Sequence, residues 1–374
     1  MKRHPNYYLF FLMIILVVFG ILFLSTLSAP TSMRSFGNTN YYLTHQLYLL
    51  IVGIVLAIIA YKFPLSYFKK LAPILLFANL VLLMLVFLPI IGVKLGGAKR
   101  WINIGIATFQ PSEFLKITAI LYLSALISNK LLEKNKKDWI FVAQKGYHNV
   151  KSVFLPFIAL LTLITVILFF QPHISVLIII GTTLVVIYFF AGTPLWHILS
   201  VILVGIGGLF LLIKFAPYRL DRWLIFLNPE SDPLGKGLQI RQSLIAIGSG
   251  GFFGKGWGMS VQKFGFLPQA MGDSIFAILG EETGIVGCLF LVFLFLCFLW
   301  LGIKIAKSSN DQFAKLTAMG ITFWITIQAF LNIAANLGIA PMTGIPLPFF
   351  SYGGSHLVIE LVGVGILLNI SKNG

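Results

Sequence analysis

The chain is short of charged residues, and of acidic residues above all. Only 10% of its 374 residues are charged and 58% are hydrophobic, a balance far too apolar for a soluble domain. Eleven residues are aspartate or glutamate, against 27 lysines and arginines. Carboxylates in or beside hydrocarbon are costly, so each of them is a candidate functional residue.

Other absences exclude whole classes of site. The only cysteines, Cys288 and Cys297, lie in one apolar run and make no disulfide framework or metal motif. The six histidines include no pair at helical ligand spacing. The glycine-rich residues 248–258 lack the GxxxxGK[ST] spacing of a phosphate-binding loop. Without an internal repeat or a low-complexity linker, we predict a single domain over residues 1–374, with no metal site and no nucleic-acid partner.

Apolar runs near the length that crosses a bilayer dominate the sequence. They predict an all-α, polytopic membrane protein with about ten transmembrane helices. The first run follows a short basic start, and we interpret it as an uncleaved span rather than a signal peptide because many spans follow it. The predicted spans are residues 7–27, 43–61, 72–91, 111–128, 155–170, 175–191, 196–213, 274–303, 313–335 and 356–370.

The distribution of lysine and arginine sets the predicted orientation. Residues 129–154, between the fourth and fifth spans, hold six lysines, whereas the short segments on the opposite side hold few. Both termini are therefore predicted to be cytoplasmic, which places residues 214–272, between the seventh and eighth spans, in a large extracytoplasmic loop. Seven basic and three acidic residues give that loop a net charge of +4. Its charge suits either a lipid phosphate as substrate or simple attraction to anionic head groups.

The stretch FLPQAMGDSIFAILGEETG, residues 266–284, holds three of the eleven carboxylates. Asp273 lies where the outer loop meets the eighth span, and it is either a helix N-cap or a single general base. Glu281 follows about 12 Å along the helix, too far for the paired carboxylates of a glycosidase. We expect Glu281 and Glu282 to pair or to stay protonated within the bundle.

The fourth span opens with QPSEFLK, in which Glu113 and Lys116 are three residues apart and share a helix face. The spacing fits two interpretations equally well. The two residues form a structural ion pair, or Lys116 is a cation in a cavity that binds a phosphate. We therefore keep both interpretations at this point.

Residues 340–355 contain three prolines and three glycines. Irregular backbone at membrane depth is tolerated only where protein buries it or where it lines a wet cavity. This segment is therefore either a plain re-entrant turn or a cavity wall that offers Ser351, Tyr352 and Ser355.

Three long segments resemble the SEDS family, the FtsW and RodA proteins of bacterial wall synthesis. They are GGAKRWINIGIATFQPSEFLKI (96–117), FLPQAMGDSIFAILGEETGIVG (266–287) and NIAANLGIAPMTGIPLPFFSYGGS (332–355). Residues 218–233, YRLDRWLIFLNPESDP, look like part of the family's large outer loop. The resemblance covers essentially the whole chain, and PMTGIPLPFFSYGG and GMSVQK are more similar to FtsW than to RodA.

The resemblance implies a peptidoglycan glycosyltransferase of the bacterial inner membrane that polymerises lipid II into β-1,4-linked strands, with inversion at the anomeric carbon. The family's essential aspartate falls on Asp273, as the catalytic base. No cofactor is implied, and a divalent cation such as Mg or Mn stays open. The candidate substrate-binding residues, on the cavity and the basic outer face, are Lys99, Arg100, Glu113, Lys116, Arg219, Lys263, Ser351 and Ser355.

The resemblance also implies partners, namely a class B penicillin-binding protein that crosslinks the new strand and other division or elongation proteins. Two rival functions stay open: a lipid II flippase, and a scaffold that recruits a transpeptidase without chemistry of its own. The chain departs from the family at Gln269, where glutamate is frequent, at Met271 and Gly272, where a His-Thr pair is frequent, and at His356, where serine is frequent. The missing glutamate removes a second acidic group near Asp273.

Overall fold

The computed structural model describes residues 4–89, 91–95, 98–103, 108–132, 153–214, 223–232, 235, 237–342 and 344–373. This part of the chain is predominantly helical, which confirms the all-α fold class. The helices that form and flank the site are α1 (Tyr7–Phe36), α2 (Tyr41–Lys62), α3 (Leu65–Leu85), α4 (Pro111–Leu132), α5 (Leu155–Phe170), α6 (Ile174–Phe190), α7 (Leu195–Lys214), α8 (Leu238–Gly250), α9 (Ile275–Ser308), α10 (Gln312–Asn336) and α11 (Gly354–Asn373).

The apolar helices follow the predicted spans closely. In the described ranges, seven helices are long and apolar enough to cross a membrane: α1 to α4 and α9 to α11. Three shorter apolar helices, α5 to α7, occupy the predicted fifth to seventh spans. The third span differs most, because α3 starts directly after Pro64, includes Lys69 and Lys70, which the hydropathy pattern left out, and ends at Leu85. The exact count of ten crossings stays a prediction.

Local chemistry explains where several helices begin and end. The Asn6 side chain accepts a hydrogen bond from the Leu9 N–H at 3.1 Å and caps α1. Asp311 caps α10 in the same way, accepting from the Ala314 N–H at 3.1 Å. After α1, Gly37 takes a left-handed conformation with φ of 67°, which glycine adopts without steric cost.

The centre of the bundle is formed by α4, α10 and α11. In their most apolar windows 83%, 72% and 83% of residues are buried, against 17% in α2, so α2 lies at the lipid-facing edge. The close contact of α11 with α2 depends on Gly365, where a Cβ atom would come within 2.4 Å of the Ala57 carbonyl oxygen. Polar side chains on the central helices are therefore enclosed by protein rather than by lipid.

A small antiparallel sheet lies between α3 and α4, and the sequence analysis did not predict it. Its strands are β1 (Gly92–Leu95), β2 (Ala98–Asn103) and β3 (Thr108–Phe109), in the order β1-β2-β3. It carries Arg100 and Trp101 on β2, and its last strand, β3, ends two residues before α4 begins. The sheet therefore brings residues from a connecting loop to the mouth of the bundle.

The described part of the predicted outer loop folds onto the bundle. It contains short 3-10 helices at Pro229–Ser231 and Gln262–Phe264, and the helix α8. The end of α8 lies against the start of α9, since a Cβ atom on Gly250 would approach the Gly280 carbonyl oxygen to 2.0 Å. This contact places α8 beside the turn that holds Asp273.

Candidate active site

Asp273 lies in the turn immediately before α9 and is held by neighbouring amides. The N-cap position belongs to Ser274, so Asp273 does not cap this helix. Asn332 and Asn336, one turn apart on α10, each donate a hydrogen bond of 2.8 Å to the main-chain carbonyl of Asp273. Gln239, at the start of α8, donates from Nε2 to Asp273 Oδ1 at 3.2 Å and to Ser274 Oγ at 2.9 Å. The backbone and the carboxylate of Asp273 are thus positioned by two different helices.

The last loop supports the same turn from the other side. Ser351 Oγ donates to the Gly272 carbonyl at 2.6 Å and accepts from the Leu347 N–H at 2.8 Å. The Tyr352 N–H donates to the Met271 carbonyl at 2.8 Å. Ser351 is fully buried. The predicted cavity residue Ser351 therefore acts as a link between two loops.

The side chain of Tyr352 is held by α2. Its hydroxyl lies 2.9 Å from His45 Nδ1, and the neighbouring Gly353 N–H donates to Gln46 Oε1 at 3.1 Å. Burial, with smaller contributions from Tyr42 and Tyr41, raises the pKa of Tyr352 to about 12. The hydroxyl therefore stays protonated near neutral pH and offers a fixed polar group to the site.

Asp273 opens onto a cavity of about 570 Å³. That volume is in the range of cavities that hold a substrate of moderate size. Polar and apolar groups from the small sheet, the outer loop and the last loop share its wall. Its lining residues are Trp101, Gln110, Ile225, Gln239, Ile240, Gln269, Gly272, Asp273, Met342, Gly344, Pro346, Tyr352, Gly353 and His356.

A smaller cavity of about 130 Å³ adjoins the first one. The two share Trp101, Gln110, Gly344, Pro346 and His356 in their walls. Four charged or titratable residues line the smaller cavity alone: Arg100, Glu113, Lys116 and His173. The structure therefore brings the carboxylate of Asp273 and the predicted cations Arg100 and Lys116 to neighbouring spaces with a common wall.

Lys116 stands at one end of a buried chain of hydrogen bonds. Its ammonium contacts Glu113 Oε2 and Gln328 Oε1, each at 2.8 Å. Gln328 donates in turn to Glu360 Oε1 at 3.1 Å, and the other oxygen of Glu360 accepts from the Phe349 N–H at 2.9 Å. Phe349 has a φ of 65°, unusual for a bulky residue. The chain thus ties the cation of the small cavity to the loop that supports the Asp273 turn.

Arg100 and Ser355 are both held by backbone groups. The guanidinium of Arg100 donates to the carbonyls of Gln171, at 3.2 Å, and Pro172, in the turn between α5 and α6. Ser355 Oγ accepts from the Gln110 N–H at 3.1 Å. Gln110 lines both cavities, so Ser355 lies behind the common wall rather than among the lining residues of either cavity.

Other predicted binding residues lie elsewhere. Lys99 is exposed on β2 and lines neither cavity. Lys263 is buried, and its ammonium contacts the Gly258 carbonyl and Glu282 Oε1, the latter at 3.4 Å. The structure therefore places Lys263 inside the outer loop and not at the cavity. Arg219 lies outside the residues that the structure describes.

Glu281 and Glu282 are paired, one of the two outcomes expected from the sequence. Glu281 accepts from Lys255 Nζ at 2.7 Å and from the Ser260 hydroxyl. Glu282 accepts from the Gly258 N–H at 2.9 Å and from the Ser260 N–H at 3.2 Å. Both side chains are buried. They therefore hold the segment between α8 and the Asp273 turn against α9.

Sequence reasoning missed the amide residues that support the site. Gln328, Asn332 and Asn336 recur every four residues in α10, which places their three amides on one face of the helix. That spacing was a usable signal, because polar groups inside a membrane helix require partners. Glu360, the single acidic residue of α11, was a second signal. Gln239 gave none, since the sequence analysis assigned it to the polar outer loop, where a glutamine is common.

Side chains that could bind a metal ion can be identified in the part of the chain that the structure describes. Among them, no group of three or more histidine, cysteine, aspartate or glutamate side chains could hold a metal ion. This part of the chain therefore offers no such cluster of ligands to the divalent cation that the sequence analysis left open.

The fold and the site define a class: a multi-pass helical membrane protein with a carboxylate in the wall of a cavity at one end of its bundle. The family model described as "Cell cycle protein", for the FtsW, RodA and SpoVE proteins, matches residues 6–374. The chain therefore belongs to the FtsW/RodA/SpoVE family, and the resemblance inferred from its motifs is confirmed.

Relatives and solved structures agree with this assignment. The chain is 35% identical to stage V sporulation protein E of Bacillus subtilis, covering 99% of the chain and 98% of that protein. It is 37% identical to the probable peptidoglycan glycosyltransferase FtsW of Trichlorobacter lovleyi, covering 97% and 92%. A chain from a peptidoglycan synthase complex that coordinates polymerization and crosslinking matches with a TM-score of 0.77 and 27% identity, over 99% and 98% of the two chains. The Thermus thermophilus rod shape determining protein RodA shares the fold, with a TM-score of 0.70, 24% identity, and coverage of 99% and 97%.

Proposed function

We propose that this chain is a peptidoglycan glycosyltransferase that polymerises lipid II. Family membership and relatives named as probable peptidoglycan glycosyltransferases support the reaction class. The single observation that carries the mechanism is the carboxylate of Asp273 in the wall of a cavity of about 570 Å³. A membrane-embedded enzyme needs such a cavity to bring two lipid-linked sugars together.

In the proposed reaction, Asp273 is the general base. Its carboxylate takes the proton of the acceptor sugar's 4-hydroxyl as that oxygen attacks the donor's anomeric carbon. The new C–O bond forms on the face opposite the leaving group, so the configuration inverts and a β-1,4 link results. The bond to the lipid diphosphate breaks, and the diphosphate carries away the electron pair. Gln239 orients the carboxylate, and the amides of α10 fix the backbone beneath it.

The cations of the smaller cavity stabilise the leaving diphosphate in this proposal. Arg100 and Lys116 line that cavity together with Glu113. Lys116 is enclosed and held by Glu113, so its ammonium is fixed in the wall of this cavity, where low polarity strengthens its hydrogen bonds to an anion. Arg219, Lys99 and the basic outer loop attract the lipid phosphates toward the cavity.

The proposal includes an orientation and a partner. Both termini lie in the cytoplasm and the Asp273 side faces outward from the bacterial inner membrane, as the lysine distribution indicates. A class B penicillin-binding protein is the proposed transpeptidase partner, supported by the similarity to a chain of a synthase complex that couples polymerization to crosslinking.

The test uses purified full-length protein with its transpeptidase and labelled lipid II. Wild type should produce polymer, and Asp273→Ala and Asp273→Asn should reduce the rate about 10²- to 10⁴-fold, the usual contribution of a general base. Asp311→Asn is the matched control, because asparagine caps a helix as well as aspartate does, and it should keep full activity.

The outcomes separate the rival functions. If the Asp273→Ala variant formed polymer at the wild-type rate, Asp273 would not be the general base. Lipid II that crosses the bilayer without polymer from wild type would favour a flippase. Recruitment of the transpeptidase without polymer or transport would favour a scaffold.

A further inference from the structure

The outer loop carries an unusual concentration of exposed apolar side chains at residues 251–266, which we call the collar loop. It runs from the end of α8 toward the Asp273 turn. Six large apolar side chains in this segment are at least half exposed: Phe252 (72%), Phe253 (83%), Met259 (67%), Val261 (52%), Phe264 (50%) and Phe266 (58%). Such a density of exposed apolar groups marks a surface that contacts a protein or a membrane.

Many backbone and charged groups of the collar loop pair with the first turns of α9. The carboxylates of Glu281 and Glu282 accept the backbone N–H groups of residues 258, 260, 261 and 262. Lys255 and Lys263 pair with the same two carboxylates, which brings the four charges to zero in sum. In the other direction, the N–H groups of Ile285 and Val286 donate to the carbonyls of Gly251 and Phe252. The loop therefore presents apolar side chains outward and satisfies much of its own polarity within.

The position of the loop along α9 places it at a membrane boundary. α9 consists of two helical parts joined at Gly284, and the longer part, residues 285–308, is about 36 Å long, which exceeds a hydrocarbon core of about 30 Å. Residues 285–303 carry no charge and are long enough for that core by themselves, with Lys304 at their far end. Above them, Gly284 breaks the helix with φ of 66° and ψ of −164°. The collar loop docks at this break.

The apolar surface of the collar loop continues the lipid-facing surface of the bundle. Directly below the docking point, Ile285, Val286 and Leu289 on α9 are 46%, 53% and 61% exposed. Trp257 of the loop stacks on Phe19 of α1, with ring centroids 5.7 Å apart. The loop, α1 and α9 thus form one continuous apolar face.

From this arrangement we infer that the collar loop is a lipid-binding surface. It lies in the boundary between head groups and acyl chains of the leaflet on the Asp273 side. Its partner is the acyl-chain region of phospholipid, because aromatic and aliphatic side chains with internally paired charges suit that depth. Since the Asp273 turn follows directly, the membrane contact sets the height of the carboxylate above the lipid surface.

The test measures contact between a labelled loop and lipid in the purified full chain, and it requires no enzymatic activity. Cys288→Ala and Cys297→Ala remove both native thiols. A fluorophore is then attached at Phe253→Cys in vesicles whose phosphatidylglycerol and phosphatidylcholine carry a nitroxide either near the head group or near the chain end. We expect the head-group nitroxide to quench most of the fluorescence and the chain-end nitroxide to quench less.

Two reference positions calibrate the result. Phe293→Cys, 58% exposed on the apolar part of α9, should be quenched more by the chain-end nitroxide. Glu230→Cys, exposed in the outer loop, should be quenched by neither. Phe266→Cys provides a second loop position in case the label at 253 disturbs folding. Quenching at both loop positions as weak as at 230 would overturn the inference, whatever the outcome of the polymerisation assay.

Discussion

Two amide-bearing helices determine the geometry of Asp273. Gln239 hydrogen-bonds its carboxylate, while Asn332 and Asn336 hold its carbonyl. An amide that donates to one carboxylate oxygen restricts rotation of the group and stabilises its charged form, which is the form a base requires. We therefore assign Gln239 a positioning role.

Replacing Gln239 tests that role. A hydrogen bond to a charged group contributes about 1.5–3 kcal/mol, so Gln239→Leu should lower kcat for polymerisation about 10- to 100-fold. KM for lipid II should change little, because the substrate is not the partner of this side chain. Gln312→Leu, at the exposed start of α10, is the matched control and should leave both constants unchanged. A rise in KM at constant kcat would instead make Gln239 a substrate-binding residue.

The ion pair of Lys116 and Glu113 allows its structural and functional roles to be separated. Both side chains are buried, so Lys116→Met should leave an uncompensated carboxylate and cost about 3–5 kcal/mol of stability. The double variant Lys116→Met with Glu113→Gln removes both charges and should regain most of the thermal stability in detergent.

Polymerisation by that double variant then decides between the two roles. If Lys116 supplies charge to the leaving diphosphate, activity should stay low although stability returns. Recovery of both stability and activity would leave the pair with a structural role alone.

At the scale of elements, the contact between α8 and α9 determines where Gln239 and the collar loop lie. Gly250 is the point of closest approach, since an added Cβ would come within 2.0 Å of the Gly280 carbonyl. The neighbouring Gly248 lies in the same helix with nothing within 4 Å of an added Cβ. The same chemical change at these two positions therefore has opposite consequences.

The two glycines form a matched pair of variants. Gly250→Ala should lower the melting temperature and the polymerisation rate together, because α8 must move away from α9. Gly248→Ala should keep activity and raise the stability by up to about 1 kcal/mol, through better helix propensity. Thermal unfolding of both proteins in the same detergent checks the prediction, which fails if the two substitutions destabilise equally.

At the scale of the whole molecule, the question is which end of the bundle faces outward. Two exposed positions on opposite sides of the proposed topology, Glu230 and Asn310, allow a direct test in the cysteine-free protein. A membrane-impermeant maleimide should label Glu230→Cys in intact spheroplasts, and Asn310→Cys only after permeabilisation. The reverse pattern would invert the proposed orientation and place Asp273 on the cytoplasmic side.

The sequence by itself determined the class of the protein, the positions of its apolar helices and the prominence of Asp273. These properties depend on residues that are close together in the sequence. The transfer free energy of an apolar run is a sum over its own residues, and a carboxylate in an apolar chain is recognisable without knowledge of the fold. The tertiary structure alone decided that Gln239, Asn332 and Asn336 meet at Asp273, that Lys116 is linked to Glu360, and that Lys263 is enclosed by the outer loop. These contacts join groups that are far apart in the sequence or lie on different elements, so they depend on how the elements pack and on no local pattern.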